Sequence, residues 1–367
     1  MSTAPVPVAP LYAIDPMRVR RGYRGGALLE QRAGRPAHDG DRPEDWIASA
    51  VTAVNPGLPA EAGEGLTPLR GSDGRRTTLA ALLDGQAGAV LGAAHPAALS
   101  GNLGFLAKLL DSAMRLHAQA HPTREFARSR LGAPYGKLEA YVILAVRPGT
   151  DGWIRLGFQR SPGRDGWRRI VAEQDIPAMD ACFARIPVKP GETWLVPGGW
   201  PHAIGPGVLM LEVMEPSDLV VRCEFERDGI VVPPAGRFMG RDLDFCLDVF
   251  DYAERDADQV RERCRLADSP AVLATGSREM LLIGPQHTDC FSVRRIQLAA
   301  GASAPIARDG RIALCLAEHG RVNLVADGGQ VALAELDAAL VPAASGMLRA
   351  TADAPADLLV IQPGLAD

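Results

Sequence analysis

Two histidines, a glutamate and a glutamine are spaced in this sequence as metal ligands can be. Gln119 and His121 sit two residues apart in the run HAQAHP. On a strand that spacing puts both side chains on one face. Glu139 comes eighteen residues after His121, inside Gly-Lys-Leu-Glu, and His202 follows the turn WLVPGGWP. Two imidazoles, a carboxylate and an amide oxygen form a borderline-hard donor set that suits Zn²⁺, with Mn²⁺, Fe²⁺ or Ni²⁺ as other occupants. One carboxylate leaves such an ion net positive, able to polarise a carbonyl or hydroxyl as a Lewis acid.

Charged residues inside apolar runs add to this set. Lys137 lies two residues before Glu139, so on a strand it shares the same face. Glu212 interrupts the apolar run LMLEVM, where burial would raise its pKa toward the range useful to a base. Its structural alternative is a cross-strand or rim ion pair. Arg222 stands in DLVVRCEF, and its structural alternative is a pair with Asp218 or Glu224. A planar guanidinium otherwise suits an enediolate oxygen or a phosphate.

Short strands must position these residues. From about 117 to 228, β-rich runs alternate with Gly/Pro punctuation: LEAYVILAV, WIRLGF, KPGETWLVPGG, GVLMLEVME. Pro-Gly turns between such runs predict a sandwich or jelly roll. Residues 277–365 return to the pattern, and ALVPAASG repeats the logic of WLVPGG without the first half's histidines. His319, beside a turn glycine, is expected on the surface. Residues 1–20 read as an arm with little pattern. The run FLAKLLDSAMRL has helix-compatible spacing near its start and could end as a strand. Residues 241–266 read as a charged helical connector. The expected fold is mainly β, with two jelly-roll barrels, a helical segment and an irregular N-terminal region. Residues 1–97 would complete the first barrel and 98–235 form the metal-binding catalytic barrel. Residues 236–270 would connect it to a second barrel, 271–367, without metal.

Composition bounds the function. The 367 residues are 47% hydrophobic and 23% charged, with a net charge of −5. That balance argues against a nucleic-acid partner, which calls for a basic field. No stretch reaches the roughly 18 apolar residues that span a bilayer, and Met1 to Pro10 has no signal-peptide pattern. Six scattered cysteines without a CxxC pair predict reduced, buried thiols and a cytoplasmic location.

The ordered run QAHP…GKLE…PGGWPHAIGPGVLMLE…SDLVVR resembles the class I mannose-6-phosphate isomerases of the cupin superfamily. Upstream, EDWIASA (44–50) and FLAKLLD (105–111) resemble further segments of that family, so the likeness covers roughly residues 20–235. It implies two cupin barrels and an aldose–ketose isomerase that takes mannose 6-phosphate to fructose 6-phosphate through a cis-enediol. It implies a zinc ion on Gln119, His121, Glu139 and His202, and active-site roles for Lys137, Glu212, Asp218 and Arg222. The expected partner is a small sugar phosphate, and the protein is expected as a monomer or homodimer. The sequence departs from the family pattern at Arg24-Gly25-Gly26, usually Trp-Gly-Gly, and at Val51, often His. It departs again at His117, often a small or hydroxyl residue, and at Thr123-Arg124, usually an acidic pair. These changes bear on the sugar more than on the metal. Another cupin sugar enzyme, an epimerase or dioxygenase, and a sugar-sensing cupin without activity are the alternatives.

Overall fold

The apolar run at 207–215 forms the strand Val208–Met214, and all seven of its residues are buried. In the computed structural model, which describes residues 8–96, 99, 101–267, 269–274 and 276–364, this strand lies between Glu139–Val146 and Leu106–Asp111, antiparallel to both. The first seven residues of the expected arm, and position 98, where the catalytic barrel is expected to begin, lie outside the described residues.

Side chains alternate across a strand, so the two faces of Val208–Met214 serve different cores. Leu209, Leu211 and Val213 pack with Leu109, Val142, Leu314, Leu316 and Ile361. Met210 faces the other way, with Leu110, Tyr141, Ile143 and Trp194. A strand covered on both faces reads as an unbroken hydrophobic run, and Glu212 is its one charge.

Among the described residues, the sheet around this strand has seven members. Their order is Arg265–Leu266, Thr193–Val196, Glu139–Val146, Val208–Met214, Leu106–Asp111, Glu44–Ala48, Arg18–Val19. A five-stranded sheet faces it, in the order Ile186–Pro187, Trp153–Leu156, His202–Ile204, Gln119–Ala120, Val221–Arg222. The two enclose a barrel filled by Leu110 and Tyr141 from one side and by Ile154, Leu156 and Ile204 from the other. A nine-stranded and a four-stranded sheet enclose a second barrel around Cys315, Leu324, Ala350 and Val360. The expected mainly-β pair of cupin-type barrels is what forms. The outer face of the seven-stranded sheet packs directly on the nine-stranded one.

Several local expectations change. The helix-compatible run at 105–111 is a strand, Leu106–Asp111, buried at every position. It lies between two other strands, so its period is two: Ala107 and Leu109 face the shared core, and Leu110 faces the first barrel. The N-terminal region divides between the sheets. Arg18–Val19 and Glu44–Ala48 pair within the first barrel, whereas Tyr12–Ile14, Pro68–Gly71 and Arg76–Thr78 extend the nine-stranded sheet. The arm therefore carries two strands. Two helices, Gly163–Glu173 and Ile176–Ala181, were not expected. Trp167, Ile170 and Val171 anchor the first, and Trp167 meets Phe158 edge-on at 5.1 Å.

The connector is helical in two pieces, Leu243–Cys246 and Ala257–Cys264. Between them Phe250 turns extended and packs on Trp167. The amide of Asp251 donates to the Gly199 carbonyl at 2.9 Å, which ties this break to the turn before His202. All six cysteines are buried and free, as expected. His319 is exposed, 3.5 Å from Glu335. Among the described residues no helix is long and apolar enough to cross a membrane.

Leu211, fully buried between the barrels, is the position whose truncation tests the shared core. Leu211→Ala is expected to cost about 2–5 kcal/mol, through lost transfer energy and a residual cavity. Urea denaturation checks this, and a loss near zero would mean the barrels do not depend on each other.

Candidate active site

Gln119 sits in a two-residue strand, opposite His202 on one side and Arg222 on the other. Directly opposed residues share a face, so all three side chains point the same way. His121 follows at the end of that strand, and Glu139 opens a strand of the facing sheet. Two glycines bring the loops together. A Cβ on Gly136 would lie 2.5 Å from the Arg124 amide nitrogen, and one on Gly198 would lie 2.8 Å from Thr123 Cα. Only glycine allows the segments leading to Lys137 and to His202 to close on the turn after His121.

Hydrogen bonds fix how the imidazoles face. His121 Nδ1 donates to the Leu219 carbonyl at 2.7 Å, and His202 Nδ1 donates to the Trp200 carbonyl at 2.9 Å. A carbonyl only accepts, so both Nε2 atoms present lone pairs. They point at one carboxylate, with Glu139 Oε1 3.0 Å from His121 and Oε2 3.6 Å from His202. Burial, with Lys137 beside it, pushes the His121 pKa down to about 4. Burial also lowers that of His202. Burial opposes the ionisation of Glu139, but His121, Lys137 and His202 outweigh it and hold the group well below the usual carboxylate range.

Three acceptors therefore converge within 4.8 Å, all buried. His121 Nε2 and Glu139 Oε1 have no hydrogen-bond partner. Lone pairs held this close repel unless a cation lies among them. The donor set fits a zinc ion in number and type. The amide of Gln119 is 3.4 Å from His202 Nε2. Turned over, it offers its oxygen as a fourth donor. Around this group Tyr141 donates its hydroxyl to Glu139 Oε2 at 2.7 Å, and Lys137 Nζ lies 3.3 Å from Oε1.

A cavity of about 530 Å³ opens above Gln119 and Glu139, and Lys137, Glu212, Asp218 and Arg222 also line it. His121 and His202 stand behind that wall. Glu212 is 2% exposed, with its Oε2 3.2 Å from Lys108 Nζ. Burial, then the negative charge of Glu139, raises its pKa to about 8, against the pull of Lys108 and Lys137. Asp218 is at the rim, half exposed, 4.0 Å from Lys137. Arg222 donates to the Gly236 carbonyl at 2.6 Å and makes no ion pair among the described residues. Of its structural alternatives, Glu224 is taken by Arg115 at 2.9 Å and by Arg227, which leaves Asp218, near enough to act on Arg222 electrostatically. For Glu212 the cross-strand pair does exist, and it still leaves the side chain on the cavity wall.

Lys108, Glu44, Arg21 and Tyr23 are site residues not singled out in the sequence. Lys108 Nζ bridges Glu212 to Glu44, 3.0 Å away. Glu44 also accepts from Arg21 at 2.7 Å, Tyr23 at 2.6 Å and Trp46 at 2.8 Å. The signal was present, because Lys108 interrupts an apolar strand just as Glu212 does. His117, which departs from the family pattern, lines the same cavity and faces the Ile230 carbonyl at 3.2 Å.

No protein-family model matches the chain. A probable mannose-6-phosphate isomerase of Bacillus subtilis, GmuF, is 25% identical over 219 residues, 59% of this chain and 63% of that protein. A mannose-6-phosphate isomerase of Streptococcus mutans is 32% identical over 124 residues, 34% of this chain and 37% of that protein. The matched stretch thus spans less than two thirds of either relative. The crystal structure of a Bacillus subtilis mannose 6-phosphate isomerase superposes with a TM-score of 0.71 at 19% identity, over 97% of this chain and 100% of that one. A zinc-bound mannose 6-phosphate isomerase gives a TM-score of 0.70 at 16% identity, with the same coverage. In fold over nearly its whole length, and in sequence over part of it, the chain is similar to the mannose-6-phosphate isomerases.

Proposed function

We propose that the protein is a metal-dependent aldose–ketose isomerase that interconverts mannose 6-phosphate and fructose 6-phosphate. The observation that carries this reading is one cavity lined by Glu139, Glu212 and Arg222, with His121 and His202 converging on Glu139 from behind its wall. The names of the relatives and the zinc in one structural neighbour support it. Gln119, His121, Glu139 and His202 would hold the ion, with zinc the first choice. When bound, it supplies positive charge to a substrate oxygen.

The open-chain sugar would lie with C1 and C2 beside Glu212. The carboxylate takes the proton from C2 of the aldose, leaving a cis-enediolate; the hydroxyl proton on O2 passes to O1, and Glu212 returns its proton to C1 to give the ketose. The reverse order runs the reaction backwards. A raised pKa near 8 suits a group that must both take and return a proton. Arg222 offers donors to the oxygen on which charge develops. Lys137, beside Glu139, is placed to donate to a sugar oxygen and assist ring opening, and Asp218 orients it from the rim. The cavity wall carries five basic and five acidic side chains. A divalent ion tips that balance positive, which suits a phosphate dianion. Six free, buried thiols support a reducing compartment, hence a cytoplasmic location.

Elemental analysis should find one divalent ion per chain in the wild type and none in His202→Ala. His202 is buried, packs its ring 4.9 Å from that of His121 and bonds the Trp200 carbonyl, so its truncation should also cost about 1–3 kcal/mol beyond the metal. Full turnover by chelated protein would remove the metal from the mechanism. Arg222→Lys keeps the charge but loses the planar fork. Its kcat should fall on the order of 100-fold if Arg222 faces the developing oxyanion. A rise in KM alone would assign Arg222 to the phosphate instead. Assays on mannose 6-phosphate and on unphosphorylated mannose test the substrate, and a preference for the free sugar would overturn the phosphate.

A further inference from the structure

Three buried carboxylates line the cavity, and their partners differ in number. Glu44 accepts from Arg21, Tyr23, Trp46 and Lys108. Glu139 faces the two imidazoles and accepts from Tyr141. Glu212 has Lys108 alone within ion-pair distance among the described residues. Its other oxygen, Oε1, accepts no hydrogen bond among the described residues, and Glu212 lines the cavity. That leaves Oε1 as the oxygen not held by the ammonium.

The strands explain why Lys108 is there. Trp46, Lys108, Glu212 and Tyr141 are directly opposed on four neighbouring strands, so they form one row on the cavity face. The ammonium is 7% exposed, and Glu44 and Glu212 are 3% exposed. A buried ammonium held from both sides has one geometry open to it. Glu44, saturated by four donors, cannot move, so it anchors Lys108, and Lys108 in turn anchors Glu212. A reacting carboxylate must be held within a fraction of an ångström of its place to act.

We propose that Lys108 is a positioning residue for proton transfer: anchored on Glu44, it holds the Glu212 carboxylate with one oxygen free for the substrate C–H. The proposal rests on the isomerase reading above. In each direction the proton passes from one carbon to that oxygen and then from it to the neighbouring carbon, while Lys108 keeps its own protons.

Lys108→Met replaces the ammonium by an apolar chain of similar length. It should keep its divalent metal, lose kcat by about 100-fold and change KM by less than about threefold. Lys108→Ala should regain turnover in proportion to added ethylamine, and not with ethanol, because only the amine restores a cation between Glu44 and Glu212. In a crystal structure of Lys108→Met, the Glu212 carboxylate should leave its place. A kcat within about threefold of wild type overturns the proposal, as does an alanine variant indifferent to amine. Failure of both variants to fold assigns Lys108 to the fold and overturns it as well. A wild-type protein inactive on every aldose phosphate sinks the isomerase reading alone. Lys108 is then decided by the crystal structure, where an unmoved Glu212 rejects it.

Discussion

Taking a carboxylate out of water costs several kcal/mol unless charges or donors replace the lost hydration. Three that line the first barrel's cavity, Glu44, Glu139 and Glu212, are buried on three strands of one sheet. Each is compensated differently, and the differences separate their chemistry. Glu44 has donors on every side and is held ionised, so it is a fixed negative post. Glu139 has a hydroxyl and an ammonium behind it and two imidazole lone pairs in front, an environment completed by a cation. Glu212 is left with one ammonium and a raised pKa. Carboxyl groups pushed apart in acidity by their surroundings divide the roles of acid, base and ligand.

That arrangement depends on a sheet with no solvent side. One face of the seven-stranded sheet carries the charged row, and the other packs on the second barrel. The apolar back anchors the strands while their front face holds unfavourable charges. The second barrel has no counterpart of the His121, Glu139, His202 group among its described residues. Its contribution is the wall against which the catalytic sheet is pressed. Arg124 extends this contact, joining Glu215 of the first barrel to Asp289 of the second at 2.7 and 2.6 Å. It stands where the family pattern has an acidic residue.

The candidate metal group was legible through the ordered family resemblance, because by spacing alone only Gln119 and His121 form a local pair. Gln119 and His121 are two residues apart on a strand, and the loops bearing Glu139 and His202 carry the glycines that let them close in. Glu212 and Arg222 were legible as charges in apolar strands. Lys108 carried the same signal, but its run also had helical spacing, and a lysine at the edge of an amphipathic helix calls for no explanation. Only the register, which pairs it with Glu212, shows that it is buried. Glu44 was missed for a related reason, since its four donors come from residues 21, 23, 46 and 108, and no local pattern encodes that meeting. The helix Gly163–Glu173 was hidden by its polarity. Its buried positions are Trp167, Ile170 and Val171, a stripe too narrow to stand out among the arginines.

The strand Tyr12–Ile14 lies between Ala338–Val341 and Pro68–Gly71, with Tyr12 opposite Leu340. On a ribosome, the strand at residues 12–14 must wait for the partner at residues 338–341 to be made. The first barrel can close earlier, since its strands lie between residues 18 and 266. Until then the early strand has only the hairpin at 68–78 for company, and the surface it will cover does not exist. Birth order and closing order thus run opposite in this molecule. A nascent chain stalled before residue 338 would hold the first barrel's strands beside an open sheet edge.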